Sequence, residues 1–436
     1  MVDKIVANMS GESQQIEERA DLQHNIKVHL FSYDRQLISF TDSNVEIAKR
    51  ITNLDTKERL TFRDTSDYDV VMGLEDGYWK IFELLKINTN ERINTTDRKL
   101  NKIPLPSNIK GVNYYPSEHP WLDFWKNYNP ETTIKDLELV NELQLNHIRF
   151  FIPYALFGKG SLDQKLLAQL DHFLDTCQEQ EISTSITLFD FPESYDLDFY
   201  PATRKHLMQL LERYHDHPAI ALWDLKNEPD LDFKNYEADI VLDWLSFMID
   251  TAKEQAPNIN LTIGWSDAAY AHLFADKLDL ISYHIYKEIE EEKKHLRKLK
   301  KEHIKDKAIY ISEFGKSSYR SKVIPFGSTE KEQAHYTKEV LQLMTEEEIP
   351  HYAFWTLHDF TKGPKEILGR KPWIINTQKN MGIVNTEGDK KLVANNFIGQ
   401  KEKVESLAWY EKIQPFYFIA GLILLLAFLL YNKSDI

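Results

Sequence analysis

Cysteine is almost absent from this chain: Cys177 is the only one among 436 residues. One cysteine cannot form an internal disulfide, and a zinc site built on several thiolates is excluded as well. Cys177 falls on the apolar side of a predicted helix that also carries Leu166, Leu170 and Phe173. We therefore expect it to fill space in the core rather than to act as a nucleophile.

Positive charge is also in short supply. Lysine and arginine total 53 against 68 aspartates and glutamates, which leaves a formal net charge of −15. Such an acidic chain is not expected to bind nucleic acid, whose phosphates attract basic surfaces. The sequence has no phosphate-binding glycine loop, no dinucleotide motif and no cluster of metal ligands, so we expect neither a cofactor nor a metal ion.

Long apolar runs are missing except near the C-terminus. The N-terminal residues MVDKIVANMSGESQQ lack the apolar core of a secretory signal. Residues 416–431 read FYFIAGLILLLAFLLY and carry no charge. This run predicts a transmembrane helix over 413–432 after a juxtamembrane stretch at 401–412, which makes the lipid bilayer a partner. A buried helix of a soluble domain is the alternative.

The lysines around this run bear on its orientation. Lys401, Lys403 and Lys412 precede it, and Lys433 follows it. The excess of positive charge before the span favours a barrel on the cytoplasmic side. A hydrophobic segment upstream would reverse this orientation, so the side of the membrane is left open.

The N-terminal quarter of the chain differs from the rest. Polar residues 1–23 predict a poorly ordered segment or a loose helix. Residues 24–90 contain short alternating apolar runs, which predict a small antiparallel β-rich module. Its clearest signal is Glu75-Asp76-Gly77 between two such runs, because Asp-Gly is a favoured hairpin turn. Polar residues 91–107 predict a linker.

Between residues 108 and 400, strand-like apolar runs alternate with helical periodicity. This alternation is typical of the α/β class, in which a parallel sheet is connected by helices. Eight such runs occur, and eight parallel strands that close on themselves form a (β/α)8 TIM barrel. The predicted strands are 109–114, 147–152, 185–189, 219–225, 261–265, 280–284, 308–311 and 352–355.

Two acidic motifs follow two of these strands. Asn227-Glu228-Pro229 comes after the fourth strand, and Ser312-Glu313-Phe314-Gly315 comes after the seventh. Catalytic groups of such barrels lie at the carboxyl ends of the strands, so the two glutamates are expected to face each other. Paired carboxylates cleave glycosidic bonds. We predict Glu228 as the acid/base, Glu313 as the nucleophile and Asn227 as a partner of the sugar 2-hydroxyl.

The runs WDLKNEPD and YISEFG resemble those of the clan A retaining glycoside hydrolases, close to family 5 and to the barrel domain of family 2. The resemblance covers roughly residues 108–395 and includes KGVNYY at the first strand. It implies that Arg149 lies near the nucleophile. It also implies that His284 and Tyr286 form the family's His-x-Tyr motif, whose tyrosine contacts the nucleophile. Trp355 would then floor the subsite that binds the transferred sugar.

The sequence departs from this pattern after the third strand, where many family 5 members carry a histidine. This chain has Phe189-Asp190-Phe191-Pro192 at that place. Asp190 is expected to replace the histidine as a substrate-binding residue, which leaves the identity of the sugar open. His119 and Trp121 follow the first strand and either line the cleft or belong to a surface loop.

Together these features predict a membrane-anchored retaining β-glycosidase that hydrolyses O-glycosidic bonds of a β-linked glycan by double displacement. The resemblance favours a mannan- or glucan-type substrate or an exopolysaccharide. One alternative is a transglycosylase, in which a sugar hydroxyl replaces water. Another is a non-catalytic carbohydrate-binding or scaffold protein of a polysaccharide assembly system, although such a protein would not need both glutamates.

Overall fold

The computed structural model describes residues 103–191, 194–196, 199–302, 304, 307–321 and 327–399 with their side chains, and the backbone of five strands between residues 14 and 87. The five strands form one antiparallel sheet in which β3 and β4 pair along most of their length. Glu75 pairs with Tyr78, so the predicted hairpin between these two strands is confirmed. The strands are β1 (Gln14–Ala20), β2 (Lys27–Ser32), β3 (Leu37–Asn53), β4 (Arg59–Glu75) and β5 (Tyr78–Ile87).

The first strand corrects the expectation for the part of residues 1–23 that it covers, and the rest of that segment lies outside the described residues. Gln14–Ala20 is neither unstructured nor a loose helix, because it pairs antiparallel with Ile47–Asn53 of β3. The edge of β3 supplies backbone hydrogen-bond partners along this segment. An isolated polar helix of such a length would gain no comparable stabilisation.

The predicted barrel is confirmed. Eight parallel strands close on themselves in chain order, and each overlaps a strand predicted from the sequence. Their bounds are β6 (Ile109–Asn113), β7 (His147–Phe151), β8 (Ser183–Phe189), β9 (Ile220–Asn227), β10 (Leu261–Trp265), β11 (Leu280–Ile285), β12 (Ala308–Phe314) and β13 (His351–Phe354).

Helices connect the strands and cover the outside of the barrel. The helix Gln164–Glu179 shows the principle, because Leu170, Phe173 and Cys177 are completely buried on one of its faces. Cys177 is thus core filler, as expected. The helices are α1 (Leu122–Lys126), α2 (Pro130–Glu142), α3 (Gln164–Glu179), α4 (Tyr200–Tyr214), α5 (Pro229–Asp232), α6 (Ala238–Gln255), α7 (Ile289–Glu302), α8 (Glu330–Glu346), α9 (Lys365–Leu368) and α10 (Pro372–Lys379).

The inside of the barrel changes character along its axis. Toward the beginning of the strands lies an apolar layer made of Ile109, Ala221, Leu222, Leu280, Tyr310 and Ala353. Toward their carboxyl ends the strands bury charged side chains, among them Arg149 and Asp224, which are fully shielded from solvent. Apolar packing therefore stabilises one end, and the other end is built for polar chemistry.

Two short helices, α9 and α10, stand after the last barrel strand. They pack around Gly363, where an added Cβ would lie 2.9 Å from Ile375 Cγ2. The N–H of Phe360 donates to the carbonyl of Lys379 at 2.9 Å, which ties the end of α10 back to the barrel. This segment was not anticipated as helical from the sequence.

The predicted juxtamembrane stretch 401–412 and transmembrane helix 413–432 lie outside the described residues. Within the described part of the chain, no helix combines the length and the apolar character needed to cross a membrane. The membrane segment therefore stays a prediction.

Buried histidines make the fold sensitive to acid. His147, at the start of β7, is fully buried between the hydroxyls of Ser183 and Ser185, which lie 2.8 and 2.6 Å from its ring nitrogens. Burial, together with nearby His351, lowers the pKa of His147 to about 3. Its folded pKa is thus below the unfolded value of about 6.5, so its contribution is complete above pH 6.5 and is lost as the pH falls toward 3.

We expect His147→Gln to flatten the pH dependence of stability. Between pH 7 and 5 the wild type should lose about 2 kcal/mol more than the variant, because only its unfolded state takes up this proton. Urea unfolding at both pH values measures the difference. His335→Gln, on the outside of α8, is the control and should follow the wild type. Parallel curves for wild type and His147→Gln would contradict this account.

Candidate active site

The two predicted catalytic glutamates meet at the mouth of the barrel. Glu228 directly follows β9 in a left-handed backbone conformation with φ 45°, unusual for a residue other than glycine. Its N–H donates to the carbonyl of Gly264 at 2.7 Å, which fixes this turn against β10. Glu313 lies near the end of β12. One carboxylate oxygen of each glutamate and a ring nitrogen of His284 lie within 4.8 Å of one another.

A buried arginine, Arg149, bonds to several polar residues beneath the mouth of the barrel. Arg149 of β7 donates to Asp224 from Nε at 2.9 Å and from Nη2 at 2.7 Å. It also donates to Asn113 at 2.9 Å and to Glu313 Oε1 at 2.6 Å. Burial lowers the pKa of Arg149, but the charges of Asp224 and Glu313 outweigh burial and hold its pKa above the ordinary value. The guanidinium is therefore a permanent cation that positions Glu313.

Both oxygens of Glu313 are held. Oε1 accepts from Arg149, and Oε2 accepts from the Tyr286 hydroxyl at 2.9 Å. The Tyr286 side chain stands at the rim, where 41% of its surface is exposed, but its hydroxyl points into the site. Burial of that hydroxyl and the charges of Glu313 and Glu228 raise the pKa of Tyr286 well above its ordinary value. The phenol thus keeps its proton and donates a hydrogen bond to Glu313.

His284 couples the two glutamates. Its Nδ1 lies 2.9 Å from Glu228 Oε1 and 3.6 Å from Glu313 Oε2. Burial lowers the pKa of His284, but the charge of Glu313 and the hydrogen bond to Glu228 outweigh it and raise the pKa. Burial raises the pKa of Glu228, but the hydrogen bond and charge of His284 leave it below its ordinary value. A proton shared by the two groups is therefore held more favourably by His284 than by Glu228.

Asn227 is fixed between two charged groups. Its Oδ1 accepts from Arg149 Nη2 at 2.8 Å, and its Nδ2 donates to Asp190 Oδ1 at 3.0 Å. Because Arg149 can only donate, the amide can adopt only this orientation. Burial raises the pKa of Asp190 to about 7, against the opposing charge of Lys226. Lys226 is itself buried, donates to the Asp190 carbonyl at 3.0 Å and pairs with Asp232 at 3.1 Å.

Aromatic rings form one side of a cavity of about 480 Å³ above these groups. Trp355, at the end of β13, is 7% exposed and lies edge-on to the rings of Tyr115 and Phe151. The peptide bond after Trp355 is cis. The indole N–H of Trp355 donates to Gln378 Oε1 at 3.3 Å. A flat ring beside two carboxylates suits a sugar, whose ring has an apolar face.

Glu228, His284 and Glu313 are also close enough to one another to hold a metal ion. Their hydrogen bonds argue against that use. Arg149 and Tyr286 already donate to the two oxygens of Glu313, and His284 is bonded to Glu228. A cation at this point would have to break these bonds and sit near the Arg149 charge. We therefore interpret the three residues as a proton-transfer and nucleophilic group.

The structure brings all eight residues predicted for the site together. Asp190, Asn227, Glu228, Tyr286, Glu313 and Trp355 line the cavity, and Arg149 and His284 lie beneath it. Trp121, left open between cleft and surface, also lines the cavity, whereas His119 is not among its lining residues. The roles assigned to these residues stay predictions.

Three residues of this network were missed by the sequence reasoning. Asp224 and Lys226 are charged residues within a strand that is otherwise apolar, and a buried charge requires a partner. That signal was available in Leu222-Trp223-Asp224-Leu225-Lys226. Asn113, which donates to the Ser312 carbonyl at 2.9 Å and accepts from Arg149, gave no such signal, because an uncharged side chain does not require a charged partner.

Comparison with known proteins supports the fold. No family model matches the chain, and no curated protein matches it either. Solved structures do. A GH5_18 protein from Streptomyces cattleya in complex with GlcNAc aligns with a TM-score of 0.56 and 16% identity, over 68% of this chain and 80% of that one. An exo-β-1,4-mannosidase from an Opitutaceae bacterium aligns with a TM-score of 0.53 and 18% identity, over 67% and 58%.

A third match extends beyond the barrel. Bacteroides uniformis β-glucuronidase 2 aligns with a TM-score of 0.53 and 15% identity, over 84% of this chain but only 41% of that one. At such identities the likeness establishes the shared barrel fold. The neighbours are glycoside hydrolases, in agreement with the resemblance seen in the sequence.

Replacing Trp355 tests whether its ring belongs to the site. We expect Trp355→Phe to lower kcat by about ten-fold, because a smaller ring without the indole N–H no longer fixes the sugar for attack. Trp223→Phe is the matched control, since Trp223 is buried in β9 but does not line the cavity. It should lower Tm and leave kcat unchanged. Equal kcat in both variants would show that Trp355 only packs.

Proposed function

We propose that this protein is a retaining β-glycosidase. The observation that carries the proposal is the pair Glu228 and Glu313, whose oxygens approach within 4.8 Å at the mouth of the barrel, beside a cavity of about 480 Å³. Carboxyl groups about 5–5.5 Å apart are typical of retention, whereas inversion needs a wider gap that admits a water molecule.

In the first step Glu313 attacks the anomeric carbon of the bound sugar. The bond from that carbon to the leaving oxygen breaks, and Glu228 donates a proton to the oxygen. An ester between the sugar and Glu313 results. Arg149 and Tyr286 hold the attacking carboxylate in place, so that little reorganisation is needed at the moment of reaction.

In the second step water attacks the same carbon from the side that the leaving group has vacated. Glu228 accepts a proton from this water, the ester bond to Glu313 breaks, and the sugar leaves with its original configuration. Asn227, held by Arg149 and Asp190, has one amide hydrogen left for the sugar 2-hydroxyl. Such a contact strengthens as charge develops in the transition state.

His284 supplies the proton that Glu228 delivers. The imidazole and the carboxylate are joined by a hydrogen bond of 2.9 Å, along which the proton can move. The charge of Glu313 is what raises the pKa of His284 most. When Glu313 becomes an ester that charge disappears, so His284 releases its proton through Glu228 to the leaving oxygen. When water cleaves the ester the charge of Glu313 returns, and the proton that Glu228 took from the water passes back to His284.

For the substrate we propose a β-linked neutral sugar, with β-mannosides as the first candidate and β-glucosides as the second. Structural neighbours include the exo-β-1,4-mannosidase and GH5_18 proteins in complex with Manβ1-4GlcNAc. Asp190 and the two glutamates line the cavity, and a uronic acid would bring a further negative charge among them. A hydroxyl, in contrast, can donate to Asp190.

Variants of the two glutamates should separate their roles. Glu313→Gln should abolish turnover of every glycoside, because no ester can form. Glu228→Gln should slow poor leaving groups by roughly 10²–10⁴-fold but spare ester formation from 2,4-dinitrophenyl glycosides, which need no acid. Values of kcat/KM on 2,4-dinitrophenyl and methyl β-mannosides and β-glucosides report the first step, and a burst of dinitrophenol from Glu228→Gln would show that the ester still forms. A 2-fluoro glycoside should label Glu313 in peptide mass mapping.

The matched control is Glu292→Gln, which removes a buried carboxylate on α7 outside the cavity and should keep both activities. Addition of EDTA should leave the wild-type rate unchanged, whereas loss of activity would favour a metal at Glu228, His284 and Glu313. Residual turnover of Glu313→Gln equal to that of Glu228→Gln on all substrates would refute the assignment.

We further propose that residues 413–432 anchor the protein in a membrane. The support is the uncharged apolar run at 416–431. The eight barrel strands lie within residues 109–354 and pair with one another in a closed ring, so this segment is not required for strand pairing.

Deleting residues 409–436 should release an active enzyme from the membrane fraction. The barrel strands keep all their partners, so kcat on an aryl glycoside should match that of the detergent-extracted full chain. Fractionation by ultracentrifugation and an activity assay of each fraction measure the outcome. A full chain that stays in the supernatant without detergent, or a truncated chain that misfolds, would show that the run belongs to a core helix.

A further inference from the structure

The helices α9 and α10 stand across the barrel mouth from the acid/base. In a closed ring of eight strands the fourth and the eighth lie opposite each other, and here these are β9 and β13. Glu228 follows β9, and α9 and α10 follow β13. The segment 363–379 is therefore a wall on the far side of the cavity from Glu228.

This wall closes the cavity with side chains. Ile367 and Leu368 of α9 and Thr377 and Gln378 of α10 all line it. Trp121 joins them from the loop after β6, the strand next to β13. At the Glu228 side the boundary is different, because Phe191 lines the cavity with half of its surface exposed to solvent.

The wall is tied down at several points. The Trp355 indole donates to Gln378 at 3.3 Å, so α10 is held to the floor of the cavity. Lys362 pairs with Asp123 of α1 at 2.6 Å. Beyond Ile367, on the outer side of the wall, lies a second cavity of about 600 Å³ that is also lined by Asp123 and Lys362. Ile367 separates the two spaces.

The wall bears on which end of a sugar chain can bind in the cavity. Glu228 protonates the leaving oxygen, so the leaving group lies on its side of the anomeric carbon. In a pyranose C4 is opposite C1, and O4 of the bound sugar therefore points to the wall. We propose, resting on the glycosidase function above, that the protein is an exo-enzyme that removes single sugars from the non-reducing ends of β-linked chains.

The product pattern tests this without any variant. The probes are β-1,4-mannotetraose and cellotetraose labelled at the reducing end with 2-aminobenzamide. An exo-enzyme releases unlabelled monosaccharide and labelled trisaccharide first, whereas an internal cut gives labelled disaccharide first. A 4-O-methyl group on the terminal non-reducing sugar should block the exo-enzyme. Labelled disaccharide as the first product, or unhindered cleavage of the capped substrate, overturns the proposal.

A variant of the wall provides the second arm. Ile367→Ala/Leu368→Ala should raise the rate on the capped relative to the uncapped substrate by about ten-fold or more, because room for even one methyl group is worth that much in a tight pocket. Ile134→Ala, an exposed apolar residue of α2, should leave the ratio unchanged.

The labelling of Glu313 by a 2-fluoro glycoside separates the two proposals. A chain that is labelled but cuts internally refutes exo-action and keeps the glycosidase. A chain that is neither labelled nor active on any glycoside refutes the glycosidase, and the exo-enzyme with it.

Discussion

One guanidinium holds the functional end of this barrel together. Arg149 bonds directly to residues of three other strands: Asn113 of β6, Asp224 and Asn227 of β9, and Glu313 of β12. These bonds are shielded from water, so removing the arginine would leave buried carboxylates without a counter-charge, a loss typically of about 3–5 kcal/mol. The position of Glu313 and the stability of the upper barrel thus depend on the same side chain.

The strand order then determines what each side of the mouth can do. Glu228 follows β9, Glu313 lies on β12 and Trp355 follows β13, so the groups proposed as acid/base, nucleophile and floor stand at fixed positions around the ring. The segments that follow the strands add further contacts around these fixed positions. The two helices after β13 stand on the side away from Glu228, where we propose that they limit the length of the sugar chain that can bind.

Much of this was readable in the sequence, for physical reasons. The barrel strands are apolar runs bounded by helical periodicity, and Glu228 and Glu313 follow two of them directly, so spacing alone brought them to one edge. The helices α9 and α10 could not be foreseen, since their residues pack around Gly363 and on the barrel rather than along a long periodic face. Strand β1 could not be predicted from its own residues either. It is held by pairing with Ile47–Asn53 of β3, which is distant in the sequence.

Gly264 gives the site a further property. An added Cβ there would lie 3.2 Å from each of Arg149 Nη2, Asp224 Oδ2 and His284 Nε2, so a side chain at this position would force these groups to move apart by a few tenths of an ångström. The carboxylates of Asp224, Glu228 and Glu313 thereby lie close to the Arg149 guanidinium and the His284 imidazole. With all five groups counted as charged, the carboxylates outnumber the cations by one. An oxocarbenium-like transition state carries a positive charge, so under the proposed function this excess of carboxylates would stabilise it.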